Sequence, residues 1–84
     1  MNHKSKERGE KVREDILQAI IRYIEEHGYS PTFREIGEMT GIKSTSSVAE
    51  HMQKLFREGK IETDAGFSTP RAIRVPGYKF VKEN

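Results

Sequence analysis

The chain has 84 residues, of which 33% are hydrophobic, so it can form one small core and cannot hold a catalytic domain beside a binding domain. It contains no cysteine, which excludes disulfides and thiolate metal sites and suits a cytoplasmic protein. The longest apolar run, Ala19-Ile20-Ile21, is far too short to span a membrane, and the charged start from His3 to Asp15 lacks the apolar stretch of a signal peptide. We therefore expect one cytoplasmic domain without a membrane partner.

The net charge is +2, but the charges are unevenly distributed. Residues 1–13 carry five Lys or Arg and two Glu, residues 14–42 carry two basic and six acidic side chains, and residues 43–84 carry eight basic and five acidic side chains. This pattern fits a protein that meets a polyanion mainly with the segment after residue 42. An ordinary solvated surface explains the same charges, so the distribution leaves both interpretations open.

The first predicted element is an amphipathic helix from about residue 8 to His27, ended by Gly28. Apolar residues recur every four positions along it and form one face: Val12, Ile16, Ile20 and Ile24. We expect this helix to have a structural role.

A short second helix is predicted to begin at Phe33. Pro31 keeps Ser30 out of helical conformation, and Thr32 with Glu35 three residues later has the spacing of a capping box. Both features mark the start of a helix.

Glycines define the rest of the second helix. Phe33 and Ile36 are expected to face the core, and Gly37 is predicted where another helix backbone comes too close for a side chain. Gly41 is expected to end the helix in a left-handed conformation.

A third helix is predicted from Thr45 to about Glu58, capped by Ser44 and ended by Gly59. Spacings of four, three and one predict its buried face: Val48, Met52, Leu55 and Phe56. The remaining residues are expected to face solvent: Thr45, Ser46, Ala49, Glu50, Gln53 and Lys54.

The serine-rich start of this helix has two interpretations. Residues 44–47, Ser-Thr-Ser-Ser, could serve only as a cap or as a phosphorylatable loop. Small residues at a helix N-terminus also let the backbone approach base edges and phosphates. The position after a helix-turn-helix favours DNA contact.

Two alternating segments, Ile61–Asp64 and Arg71–Val75, flank a turn-forming loop and predict a β-hairpin, or wing. Three apolar residues can face the helices: Ile61, Ile73 and Val75. Arg71 and Arg74 can reach a phosphate backbone or a minor groove, although plain solvent exposure also accounts for Arg74.

Three helices followed by a wing form a winged helix-turn-helix, a mainly α fold with a small β-hairpin. The sequences of residues 26–37, 44–55, 58–62 and 70–75 contain the motifs Pro-Thr-x-x-Glu-Ile and Pro-Arg-Ala-Ile. Through these segments the chain resembles, over about residues 10–75, the DNA-binding domains of LexA-type repressors.

The resemblance implies that the third helix enters the major groove of double-stranded DNA. It places five residues against bases or neighbouring phosphates: Ser44, Ser46, Ser47, Ala49 and Glu50. Because Thr45, Ala49 and Glu50 differ between LexA branches, the operator sequence does not transfer with the fold. Together with the basic residues expected to hold the backbone, the predicted DNA-binding set is Lys43, Ser44, Thr45, Ser46, Ser47, Ala49, Glu50, Lys54, Arg71 and Arg74.

LexA repressors continue into a Ser-Lys self-cleaving domain that also supplies the dimer, whereas this chain ends at Asn84. We therefore expect no self-cleavage and no damage-response role. The predicted organisation is a basic arm over residues 1–8, a winged helix-turn-helix domain over 9–76 and a tail over 77–84. The apolar tail residues could pack on their own domain, extend the wing sheet or pair with a second copy: Tyr78, Phe80 and Val81.

The predicted function is sequence-specific DNA binding by a LexA-like repressor, with a homodimer on DNA as a possible assembly. A protein-interaction module on the same scaffold is the alternative, and exposed Glu50 is the residue that favours it. No enzyme, metal site, cofactor or small-molecule ligand is expected, because His3, His27 and His51 are scattered along the chain. His51 is expected to lie at the flank of the recognition helix or beside a phosphate, and not to act as a base.

Overall fold

The computed structural model describes the backbone of residues 3–63 and 72–77, and the side chains within those ranges from Arg8 onward. The elements are α1 (His3–His27), α2 (Phe33–Thr40), α3 (Thr45–Arg57), β1 (Glu62–Thr63) and β2 (Ile73–Arg74). The two strands pair antiparallel, with Glu62 opposite Arg74 and Thr63 opposite Ile73. Three helices and a small hairpin confirm the predicted winged helix-turn-helix.

The helix α1 begins at His3, so the prediction that it begins at about residue 8 is wrong. Its first two turns carry no apolar stripe, because that stripe starts at Val12. Hydrophobic periodicity therefore gives no signal for these turns, although a polar segment without proline can be helical.

One hydrophobic core joins all three helices to the hairpin. The predicted apolar face of α1 is confirmed by Ile16 and Ile20, which are fully buried. The core consists of Ile16, Ile20, Ile21, Ile24, Ile36, Val48, Met52, Leu55, Ile61, Ile73 and Val75. Four partly buried residues pack against it: Val12, Leu17, Phe33 and Ile42.

The buried face of α3 is narrower than predicted. Val48, Met52 and Leu55 are buried, but Phe56 is 47% exposed, so its assignment to the core is wrong. Successive residues of an α-helix lie 100° apart, and Phe56 is therefore rotated away from the core contact that Leu55 makes.

The predicted start and end of α2 are confirmed. The Thr32 hydroxyl accepts a hydrogen bond from the Glu35 amide at 3.2 Å, and the Glu35 carboxylate accepts one from the Thr32 amide at 2.8 Å, which completes the capping box. At the other end Gly41 has φ +81°, and its amide donates to the carbonyl of Gly37 at 2.8 Å.

The end of α3 differs from the prediction by one residue. The helix ends at Arg57, and Glu58 caps it by donating its amide to the Lys54 carbonyl at 3.0 Å. Gly59 follows with φ +77°, as its predicted role as terminator requires.

A hydrogen bond connects the hairpin to the loop between α1 and α2. The hydroxyl of Ser30, which is only 3% exposed, accepts from the Ile73 amide at 3.3 Å. The first residue of β2 is thereby held against a segment 43 residues earlier in the chain.

Candidate nucleic-acid interface

The outer face of α3 presents small and polar side chains to solvent. Thr45, Ser46 and Glu50 are exposed, whereas Ser47 and Ala49 are half-buried at its edges. Gln53, Lys54 and Arg57 extend the exposed face toward the end of the helix. All the α3 residues of the predicted DNA-binding set are thus at least partly accessible.

The N-terminus of α3 is built by Ser44. Its backbone is extended, with φ −105° and ψ 124°, and its hydroxyl accepts a hydrogen bond from the Ser47 amide at 3.4 Å. The cap predicted from sequence is confirmed. Amides of the first helical turn have no partner within their own helix and carry the positive end of the helix dipole, so this end of α3 favours an anion.

The turn between α2 and α3 adds basic groups beside this helix end. Lys43 is exposed one residue before the cap. An open depression of about 510 Å³ lies along the turn, and its lining includes Arg34 and Glu38 of α2 together with Lys43 and Thr45. Arg34 is absent from the set predicted by sequence, because it lies in the acidic segment and only the turn brings it near Lys43.

The hairpin contributes one arginine that the structure describes. Arg74 Nη2 lies 3.6 Å from Glu62 Oε1, and both side chains are more than half exposed. The two residues are opposite each other in the strand register. An exposed ion pair of this kind contributes little to stability.

Some predictions concern residues outside the described ranges. Arg71 precedes residue 72, and the tail residues Tyr78, Phe80 and Val81 follow residue 77. Their proposed contacts with DNA, with the domain or with a second copy stay predictions.

His51 lies on α3 between its buried and exposed faces. It is half-buried, and its Nδ1 atom is buried without a hydrogen-bond partner among the described residues. Burial lowers the pKa of His51 below its ordinary value of 6.5 because the charged form loses solvation. The positive charges of Arg13 and Lys54 lower this pKa further, while Glu50 acts in the opposite direction.

The described residues contain no group of three or more His, Asp or Glu side chains that could hold a metal ion. Among the helices in those ranges, none has the length and apolar character needed to cross a membrane.

Comparison with known proteins gives the family context of this surface. Residues 10–72 match the family model described as the LexA DNA binding domain. The chain is 48% identical over 65 residues to the LexA repressor of Caldicellulosiruptor saccharolyticus and 43% identical over 65 residues to that of Pseudomonas aeruginosa; each match covers 77% of this chain and 31% of the relative. It is 47% identical over 60 residues to the LexA repressor of Lacticaseibacillus casei, covering 71% of this chain and 28% of that protein. The chain therefore spans less than a third of the length of these relatives.

Proposed function

Because the chain belongs to the LexA DNA-binding domain family, we propose that it binds double-stranded DNA sequence-specifically and represses transcription. In this proposal α3 lies in the major groove and reads base edges. DNA binding requires the protein to share a compartment with DNA, in keeping with the cytoplasmic location expected from sequence. The proposed activity is regulatory, and no described residue is assigned a catalytic role.

The observation that carries the proposal is the exposed face of α3 and its capped N-terminus. Thr45 and Ser46 are small enough for the helix backbone to approach base edges, and their hydroxyls can donate and accept hydrogen bonds. Glu50 lies one turn further along and can accept from the amino group of cytosine. Ser44, Ser47 and Ala49 complete the proposed reading surface.

Basic residues on both sides of this face would hold the phosphate backbone. Lys43 precedes the cap and Lys54 lies two turns beyond Ser47, and both are exposed. Arg71 and Arg74 are assigned the same role in the wing. Phosphate contacts of this kind supply affinity and orientation, whereas base contacts by α3 supply sequence preference.

A single winged helix covers one half-site, so we propose that two copies bind together on an operator with two half-sites. Centres of such half-sites are about 10 base pairs, or a multiple of that distance, apart when both copies approach one side of the duplex.

The proposal is tested by selecting bound sequences from a random DNA pool with the purified protein. We expect one enriched motif, present as two copies in a fixed arrangement, and a complex whose mass corresponds to two chains per duplex. Binding that shows no enrichment and falls away with salt would be non-specific and would shift support to a protein-interaction module.

One variant connects the selected motif to α3. Ser46→Glu places a carboxylate in the first turn of α3, where the helix dipole tolerates it, but where it would repel DNA. We expect Ser46→Glu to abolish specific binding with an unchanged circular dichroism spectrum. Retained binding by Ser46→Glu would contradict the assignment of α3 as the recognition helix.

A further inference from the structure

The side of α1 that faces away from the core carries a strip of polar and charged residues. Because successive helical residues are about 100° apart, six positions fall on one strip of the helix surface, opposite buried Ile16 and Ile20. All of them are exposed except Ala19, which is half-buried. These six residues form the outer strip of α1: Lys11, Asp15, Gln18, Ala19, Arg22 and Glu26.

The charges of the outer strip are complementary to the same strip read in reverse. Along the helix they are positive at Lys11, negative at Asp15, positive at Arg22 and negative at Glu26, with no charge at residues 18–19 in the middle. In two antiparallel copies related by a twofold axis between residues 18 and 19, Lys11 faces Glu26 of the second copy. In the same arrangement Asp15 faces Arg22 of the second copy. Each charge therefore meets an opposite charge, and both pairs occur twice by symmetry.

Contacts within one chain neutralise these charges only in part. Lys11 Nζ lies 3.8 Å from Asp15 Oδ1, but both side chains are more than half exposed, so this pair contributes little. Arg22 and Glu26 are one turn apart, yet neither forms an ion pair among the side chains that the structure describes. The outer strip thus keeps charges that a second copy can neutralise.

An open groove beside the outer strip adds apolar surface. Met39 of α2 is 44% exposed there, and a helix packed along the strip would bury it further. The small side chain of Ala19 allows such a helix to come close. The groove has a volume of about 280 Å³ and is lined by Asp15, Gln18, Ala19, Arg22, Met39 and Thr40.

The length of the outer strip also favours a helix as its ligand. From Lys11 to Glu26 the strip extends for about 22 Å, at about 1.5 Å per residue. An ion or a small molecule would contact only a fraction of this length, whereas another α1 contacts all of it.

We propose that the outer strip of α1 is a self-association surface, on which a second copy of this chain packs its own α1 in the antiparallel direction. The charge order identifies the occupant, because a twofold interface must be complementary to itself and all facing pairs share one midpoint. The inference goes beyond DNA binding, since the two copies associate without DNA. A single pair of helices buries less surface than a standard interface, so the dimer is weak and reversible.

The first test is sedimentation equilibrium of the purified protein without DNA, at low salt. Protein concentrations run from about 10 μM to about 1 mM, the range in which a small interface associates. We expect the mean mass to rise from one chain toward two, and added salt to shift the equilibrium back toward monomer because the contacts are ionic. A protein that is monomeric at every concentration would overturn the proposal.

Charge reversal then identifies the surface. Arg22→Glu places two carboxylates opposite each other, and Asp15→Arg does the same with two guanidinium groups, so each variant alone should associate at least about tenfold more weakly. An equimolar mixture of the two variants should form a dimer again, because the new carboxylate of one chain faces the new guanidinium of the other. A mixture that stays monomeric, or single variants that associate like the unsubstituted protein, would overturn the proposal.

Lys60→Glu is the matched control for Arg22→Glu. It reverses one exposed positive charge in the turn after α3, outside the outer strip, and should leave self-association unchanged. Equal weakening by both variants would show an effect of net charge and would contradict the assigned surface. Circular dichroism melting checks that each variant is folded, and dimer formation in the mixture requires that both are.

Cross-linking tests the position of the twofold axis. The chain contains no cysteine, so Gln18→Cys introduces a single thiol, next to the proposed axis. A short bismaleimide should join two such chains efficiently, whereas Lys60→Cys should react with the reagent but give little dimer. Equal yields from the two variants would mean random collision and would overturn the proposal.

Failure of this inference is distinguishable from failure of the proposed function, since self-association is measured without DNA. A protein that selects a DNA motif but stays monomeric in solution would refute only the α1 surface. A protein that dimerises by these criteria but selects no motif would refute only the proposed function.

Discussion

The backbone of Gly37 lies so close to the Ile42 carbonyl that a Cβ on Gly37 would stand 2.7 Å from that oxygen. The same Cβ would stand 3.7 Å from Val48 Cγ2, which is an ordinary contact. The close approach predicted from sequence is therefore real, but its partner is the turn into α3 and not the backbone of another helix. Through this contact α2 and the turn fix where the N-terminus of α3 begins.

Gly37→Ala is expected to destabilise the domain by about 1–3 kcal/mol, because a methyl group cannot fit beside a backbone carbonyl without moving the turn. Urea unfolding followed by circular dichroism measures the change. Gly9→Ala is the matched control, since its Cβ would meet only the movable end of Arg13 at 3.3 Å. That control should gain about 0.5–1 kcal/mol from the better helix propensity of alanine. A Gly37→Ala protein as stable as the unsubstituted one would show that the turn adapts.

Ser30→Ala should cost about 1–2 kcal/mol, because it removes a buried acceptor from the Ile73 amide. Hydrogen exchange gives a local readout: the Ile73 amide should exchange faster than in the unsubstituted protein. Ser46→Ala serves as the control, as Ser46 is exposed and its loss should change stability by less than about 0.5 kcal/mol. Unchanged protection of Ile73 in Ser30→Ala would mean that this hydrogen bond does not hold the strand.

Ile20→Asp is expected to unfold the protein, since Ile20 has no exposed surface and a carboxylate there would be buried among apolar side chains. The expected loss exceeds about 4 kcal/mol, a large part of the stability of a small domain. The helical circular dichroism signal should disappear at 25 °C. Ile20→Val should remain folded with a loss of about 0.5–1.5 kcal/mol. A helical, cooperatively melting Ile20→Asp protein would contradict the assigned core.

The lowered pKa of His51 makes stability depend on pH in a defined direction. Its pKa in the folded protein lies below the ordinary 6.5, because burial and the charges of Arg13 and Lys54 oppose protonation. The unfolded chain therefore binds the proton more readily than the folded protein does. The stability that depends on neutral His51 is fully present above pH 6.5 and is lost as the pH falls through the pKa of the folded protein. Protonation would also leave a buried Nδ1–H donor without an acceptor among the described residues.

Unfolding of the unsubstituted protein and of His51→Gln is compared between pH 5 and 7.5. The difference between their unfolding free energies should shift in favour of His51→Gln as the solution becomes more acidic, since glutamine does not titrate. A constant difference, or a measured His51 pKa at or above 6.5, would contradict the expectation.

Local sequence rules predict most of the fold. The four-residue spacing of Ile16, Ile20 and Ile24 gives the buried face of α1, and Thr32 with Glu35 gives the start of α2. These two predictions are confirmed because each depends only on residues within one or two helical turns of one another. Ile61, Ile73 and Val75 are also buried as predicted, since alternation along a hairpin separates its two faces.

Two features show where local rules end. Phe56 is apolar but exposed, because its position around α3 turns its side chain away from the core. The effect of the Arg13 charge on the pKa of His51 depends on how α1 packs against α3, which no spacing within either helix encodes. The DNA contacts proposed for α3 and the wing stay predictions, because the protein surface shows which groups are accessible and only a complex shows what they bind.

Because of the hydrogen bond between the Ile73 amide and the Ser30 hydroxyl, the hairpin depends on a segment outside its own short sequence. A hairpin grafted from this chain onto another helix-turn-helix would leave Ser30 behind, and with it the acceptor for the first residue of β2. Engineers who wish to exchange wings between such domains should therefore transfer the loop between α1 and α2 as well. In this domain the unit of exchange is a pair of segments that lie far apart in the sequence.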